Sequence, residues 1–145
     1  MPDRLDPGRR ILASQPFSVL VAAELLRLGD GQAELRIPVR AELKQQHGFV
    51  HGGVISYAAD NALTFAGGSA LGTGVVTSEF KINYLRPARG ASLVARAEVV
   101  HCGRTQAVCR CDIFSSEGGS ERLCATAQGT IAKLSTPSES LDPTG

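Results

Sequence analysis

Hydrophobic residues in this chain close up into a continuous run near the middle and alternate with polar ones after it. The run is VISYAADNALTFA (residues 54–66). Its apolar residues Val54, Ile55, Tyr57, Ala58, Ala59, Ala62, Leu63, Phe65 and Ala66 cover most of a helix circumference. A helix apolar nearly all round is buried in a core. The polar, glycine-rich stretch QQHGFVHGG (45–53) leads into it, and Gly67, Gly68, Gly72 and Gly74 are expected to break the helix and open a loop.

On either side the pattern is that of strands. Phe17 to Leu28 has β character, Gly29-Asp30-Gly31 is a turn, and Ala33, Leu35, Ile37 and Val39 share one face of a second strand. These read as a hairpin, with Pro38 tolerable at its end or on an edge. Ala41 to Gln46 reads as one helical turn. After the glycines come Val75–Leu85, Ser92–His101, Thr105–Phe114 and Glu121–Leu134, joined by short turns. In the first of these, Phe80, Ile82 and Tyr84 lie opposite Glu79, Lys81 and Asn83. Residues 9–14 read as a helical turn ending before Pro16, and residues 1–8 and 135–145 as loose ends of one domain spanning 1–145. Sequential strands with short turns build an antiparallel meander, and the helix finds its burial on the concave face of that sheet. The expected class is α+β: a long antiparallel sheet wrapped round one central helix.

Composition narrows the function. With 15 basic and 14 acidic residues in 145, the formal net charge is +1, which leaves no electrostatic footprint for nucleic acid. No window approaches the roughly 18 apolar residues of a membrane span. Arg9-Arg10 followed by ILASQPFSVLVAA imitates a twin-arginine signal, but Ser14, Gln15 and Pro16 interrupt its apolar part, so a cytoplasmic protein is expected. The four cysteines (Cys102, Cys109, Cys111, Cys124) form no Cys-x-x-Cys pair and read as small buried hydrophobes in a reducing compartment. The glycine cluster lacks the Gly-Lys-Ser/Thr ending of a phosphate loop. His47 and His51 have the spacing of zinc ligands on a helix, but two glycines in the segment and the lack of a third ligand nearby argue against a metal. No metal or cofactor is expected.

Asp60 is the residue that needs explaining. A carboxylate amid an apolar helix is rarely left without partners. Its plain explanation is a buried structural acid that caps a neighbour or pairs with an arginine. Its surroundings suggest more. Gly48 stands three before His51-Gly52-Gly53, Asp60 stands eight beyond Gly52, and Asn83-Tyr84-Leu85-Arg86-Pro87 follows on a strand. In this order HGFVHGGVISYAADNALTFAG and EFKINYLRPARG resemble the PaaI branch of the hotdog thioesterases, relatives of the 4-hydroxybenzoyl-CoA thioesterases. The likeness covers roughly residues 20–134.

The resemblance implies a hotdog fold, dimers often paired into tetramers, and hydrolysis of a small aryl or short-to-medium-chain acyl-CoA to free acid and CoA. It makes Gly52 the oxyanion donor and Asp60 the nucleophile or general base. Gln45 orients the carbonyl or water, where most relatives have Asn, and Thr77 holds the water or the carboxylate. His51 steadies the turn or contacts the thioester, its alternative being a structural hydrogen bond at the helix start. Gly53 and Asn61 are expected at the substrate, Asn61 serving equally well as a polar spot at a helix contact. Arg104, Arg86 and Arg89 are candidates for the CoA phosphates, each also readable as an ordinary surface arginine.

The chemistry supports these roles independently. Thioester hydrolysis needs an oxyanion stabiliser and a carboxylate that attacks or activates water. Gly52 lies where helix N–H groups are unsatisfied and the dipole favours negative charge. Eight helical residues separate Gly52 from Asp60 by about 12 Å, so both reach one carbonyl only if they come from different subunits. At least a two-fold dimer is therefore expected. Two rival hotdog readings are a non-catalytic acyl-CoA-binding or sensor protein, and a dehydratase, which resembles a His followed by Pro-Gly where this chain has Gly-Gly.

Overall fold

The computed structural model describes residues 4–135. The C-terminal loose end anticipated from the sequence lies, from residue 136, outside them, as do residues 1–3.

Six strands form one antiparallel sheet: β1 (Glu24–Gly29), β2 (Gln32–Pro38), β3 (Val75–Tyr84), β4 (Ser92–Cys102), β5 (Gln106–Glu117) and β6 (Ser120–Lys133). Their spatial order is β1-β2-β4-β5-β6-β3, so β1 and β3 are the two edges. The helix α3 (Gly52–Leu71) lies against the concave face and packs on strands across its full width. Val54, Ile55, Ala58, Ala59, Ala62, Leu63, Ala66 and Gly67 are buried beneath it with Leu35, Ile37, Leu93, Ile113 and Ile131 from the sheet. Small residues on α3 let the helix sit close to the strands. The expected α+β architecture is the observed one, but the late strands are not a simple meander: β3 pairs with β6 at the far edge, and β4 pairs with β2 instead of β3.

Four local expectations are corrected. The helix does not break at Gly67 and Gly68 but runs to Leu71. Gly67 is there for packing: a β-carbon on it would stand 2.7–2.8 Å from three Ile131 side-chain atoms. Residues Leu5–Gly8 are not loose, because they begin α1 (Leu5–Ala13), which packs on β1 and sets Gly8 tightly against Leu25 and Leu28. The segment read as one strand from Phe17 starts instead with the short α2 (Pro16–Leu20), where Pro16 occupies the first helical turn that suits it. Ala22, at φ +59°, then turns the chain into β1. Finally, Cys102 is exposed at the end of β4, whereas Cys109, Cys111 and Cys124 are buried.

A bulge in β3 places one side chain that matters. Pairing with β6 shifts register between Thr77 and Glu79, inserting Ser78 as an extra residue. Side chains alternate along a strand, so Thr77 would otherwise point away from Phe80 and Ile82. The bulge reverses the alternation and puts Thr77 on the helix-facing side with them.

Candidate active site

The site begins at the N-terminus of α3. His51 is the N-cap, with extended backbone, and its Nδ1 accepts a 2.9 Å hydrogen bond from the N–H of Gly53. The N–H of Val54 reaches the His51 carbonyl at 2.9 Å. The N–H of Gly52 is left with no acceptor among the described residues. Of the first helical N–H groups, Gly52 therefore offers the free one, backed by the positive end of the helix dipole. Gly53 cannot offer its N–H as well, since His51 occupies it. In this structure His51 makes the structural hydrogen bond, capping the helix and steadying the turn.

Tyr84 fixes this turn to the sheet, a role that sequence reasoning missed. Its hydroxyl donates to the Gly52 carbonyl at 3.0 Å and is 2.5 Å from the hydroxyl of Ser56, which supplies the second hydrogen. Gln45 holds the other arm of the turn. Its Oε1 accepts from the N–H of His47, and its backbone N–H bonds the Phe49 carbonyl. In this structure the Gln45 side-chain oxygen serves the turn.

Asp60 lies farther along α3, on its half-buried stripe of Tyr57, Asp60, Asn61, Thr64 and Phe65. This stripe flanks the buried face of the helix and meets the edge strand β3 at Asp60 and Thr64. Thr77 donates to Asp60 Oδ1 at 2.6 Å, and the Thr64 hydroxyl stands 2.7 Å from that of Thr77 and 2.8 Å from the Asp60 carbonyl. Thr77 spends its one hydrogen on Asp60, so the single Thr64 hydrogen serves both the Asp60 carbonyl, to which it donates, and the contact with the Thr77 oxygen. Among the described residues no arginine or lysine pairs with Asp60, which leaves the plain salt-bridge explanation without a partner there.

A cavity of about 370 Å³ opens beside this group, between α1 and α3. Pro7, Ile11, Leu28, Phe65 and Val75 give it apolar walls, while Arg4, Gln15, Asn61, Thr64, Ser69 and Thr73 are its polar lining. Asn61 donates to Gln15 Oε1 at 3.1 Å and to the Tyr57 hydroxyl at 3.0 Å, so it faces both the pocket and the junction of α1 and α2. Burial raises the pKa of the Tyr57 hydroxyl, and hydrogen bonds from Ser18 and Asn61 oppose the shift.

The basic residues separate into two places. Arg86 and Arg89 line one cleft with Arg122, Ser115 and Ser120, with Glu117 as its carboxylate. The hydrogen bond from the Val50 N–H to the Ala88 carbonyl joins that region to the turn before Gly52, and Arg89 stacks over Phe49 with its guanidinium carbon 4.4 Å from the ring centroid. Arg104 is elsewhere. Its turn is tied by the Lys133 N–H to the Thr105 carbonyl, and the Leu134 N–H beyond it bonds Gly74 at the C-terminal end of α3. The 20-residue helix puts that end about 30 Å from Gly52. Arg122 carried no motif that marked it in the sequence.

Comparison with known proteins agrees with this fold. Residues 47–121 match the family model of the thioesterase superfamily. The acyl-coenzyme A thioesterase PaaI of Escherichia coli is 30% identical over 115 residues, covering 73% of this chain and 81% of that protein. An esterase-named protein of Halobacterium salinarum is 38% identical over 93 residues, 59% of this chain and 61% of that one. The crystal structure of a thioesterase family protein from Silicibacter pomeroyi superposes with a TM-score of 0.80 at 38% identity, covering 86% of this chain and 93% of that one. The chain belongs to the thioesterase superfamily: it is a PaaI-like thioester hydrolase with the hotdog fold.

Proposed function

We propose that this protein hydrolyses a small aryl or short-to-medium-chain acyl-CoA to free acid and CoA, in composite sites at a dimer interface. The observation that carries the reading is the division of α3: a free N–H at Gly52, and a carboxylate at Asp60 held by Thr77. About 12 Å of helix separates them, so each chain supplies half of two sites. The exposed edge of β3 and the half-buried stripe on α3 are surfaces a second copy would cover.

In this reading the Gly52 N–H points at the thioester carbonyl oxygen, where negative charge develops in the tetrahedral intermediate. Asp60 of the other chain either takes a proton from water, whose oxygen then adds to the carbonyl carbon, or adds to it directly. Collapse returns the electron pair to the carbonyl and expels the CoA thiolate. In the direct route, water then cleaves the acyl-aspartyl anhydride. Neither route calls for a metal or cofactor. Thr77 keeps the carboxylate oriented, and the glycine lets the carbonyl approach the backbone. Arg86, Arg89 and Arg122 supply guanidinium groups for the CoA phosphates, which they suit by planar, bidentate geometry.

The test is free-thiol release from a panel of phenylacetyl-, benzoyl-, short-chain and long-chain CoA thioesters, with wild type beside Asp60→Asn. Turnover by wild type of an aryl or short-to-medium member, lost in a folded Asp60→Asn protein, is expected. Binding without thiol release would replace this reading with a non-catalytic one.

A further inference from the structure

The turn that carries Gly52 and the loop that carries Arg86 and Arg89 touch at two points. The Val50 N–H donates to the Ala88 carbonyl at 3.1 Å. One residue further along the loop, the Arg89 guanidinium lies over the Phe49 ring, 4.4 Å from its centroid. Phe49 and Val50 stand three and two residues before Gly52. The turn also closes on its own incoming arm. The Gln45 N–H bonds the Phe49 carbonyl and the His51 N–H bonds the Leu43 carbonyl, each at 2.8 Å. Phe49 is thus tied through its backbone to that arm and through its ring to the arginine loop.

The ring contact is one that a ligand can tighten. Arg89 is exposed, and an exposed guanidinium on a ring is held only weakly. Among the described residues no carboxylate lies within ion-pair distance of Arg86, Arg89 or Arg122, although Glu117 lines the same cleft. A guanidinium recognises with two surfaces: its face stacks on a ring while its N–H edge grips a phosphate. A phosphate on the edge of Arg89 therefore pins the arginine against Phe49 without drawing it off. We infer that the nucleotide end of coenzyme A, held in this cleft, orders the turn through Arg89 and Phe49 and so sets the Gly52 N–H for the oxyanion. Arg89 and Phe49 are positioning residues, acting through Gly52. Binding energy from a part of the substrate far from the thioester is then used in the transition state, and appears in kcat. The chain that donates the N–H holds the nucleotide, and the other chain supplies the carboxylate. This rests on the acyl-CoA thioesterase reading and adds to it what the coenzyme does beyond tethering the acyl group.

The experiment divides the coenzyme into pantetheine and adenosine 3′-phosphate 5′-diphosphate. The acyl group that turns over best as a CoA thioester is supplied as the pantetheine thioester, and kcat and KM are measured with and without saturating nucleotide. Calorimetry follows nucleotide binding separately. In wild type the nucleotide should raise kcat for the pantetheine thioester about fivefold or more. Phe49→Leu keeps all three arginines and loses the ring face, so it should still bind nucleotide while the stimulation falls below about twofold. Should that variant melt early, Arg89→Lys takes its place, since it keeps the charge but lacks the planar fork. A merely structural stack would lower stability in these variants and leave the stimulation intact. Nucleotide that fails to bind wild type, nucleotide that binds and leaves kcat within twofold, or stimulation that survives in both folded variants overturns the inference alone. If wild type hydrolyses no member of the CoA thioester panel, the acyl-CoA reading fails and takes this inference with it.

Discussion

Thr77 donates a 2.6 Å hydrogen bond to Oδ1 of Asp60, joining an edge strand to the middle of the central helix. Among the described residues it is the one hydrogen bond to the carboxylate, and a hydrogen bond to a charged group contributes about 1.5–3 kcal/mol. If the reaction needs that orientation, Thr77→Val loses about 10- to 150-fold in kcat/KM. Thr77→Ser keeps the hydroxyl and stays within a few-fold of wild type. Steady-state kinetics on the best thioester of the panel decides it.

Tyr84 serves the other half of the site. Tyr84→Phe removes the donor to the Gly52 carbonyl and the acceptor for Ser56. A net cost of about 1–2 kcal/mol is expected in urea unfolding at unchanged m-value. An unchanged midpoint would mean that the turn does not depend on this anchor.

Gly67 fills a space that admits no side chain. Alanine there would gain about 1 kcal/mol in helix propensity, but its methyl would meet Ile131 at 2.7–2.8 Å, and overpacking costs about 1–3 kcal/mol. The overlap should win, so Gly67→Ala melts below wild type in a thermal scan. Adding Ile131→Ala, which removes two of the three contacting atoms, should recover part of the overpacking cost.

Burial pushes the Cys109 and Cys124 thiols up to about 11 from an ordinary value of 9.0, and Cys111 higher still. The thiolate is the reactive form. Native protein at pH 8 should therefore react with a disulfide reagent at Cys102 alone, and at all four cysteines in denaturant. The same shifts fix a sign. The unfolded chain releases these protons first, from about pH 9, so stability is fully present below that and falls as pH rises toward 11. Denaturant midpoints at pH 8 and pH 10.5 test it.

The fold was largely legible because its signals are periodic: alternation gave the late strands, and the apolar run gave the helix. What escaped depended on contacts distant in sequence. Gly67 reads as a breaker until Ile131 is seen packed on it. Thr77 was expected at the carboxylate from the resemblance, but strand alternation gives it the wrong parity to share a face with Phe80 and Ile82, and the bulge at Ser78 is what brings it to Asp60. Gln15 stood out in the sequence only as a polar break in an apolar run, yet α1 and α2 fold back and set its amide on Asn61, 46 residues away. Arg86, Arg89 and Arg122 share a cleft because the turn after β3 lies along β6, with the Leu85 and Arg86 N–H groups on the Cys124 carbonyl. Arg104 shows the converse, a basic turn that the topology carries to the far end of the helix.

The composite site is tested most directly by mixing two inactive proteins. Asp60→Asn lacks the carboxylate. Gly52→Pro lacks the free N–H, at a position suited to proline: it is the first residue of the helix, and His51 before it is extended at ψ 135°. Refolded together in equal amounts, half of the dimers pair one chain of each kind. Each such dimer has one site with both groups intact and one with neither. The account predicts about one quarter of wild-type thioesterase activity in the mixture, from two proteins that separately show almost none. A mixture no more active than its components would contradict it.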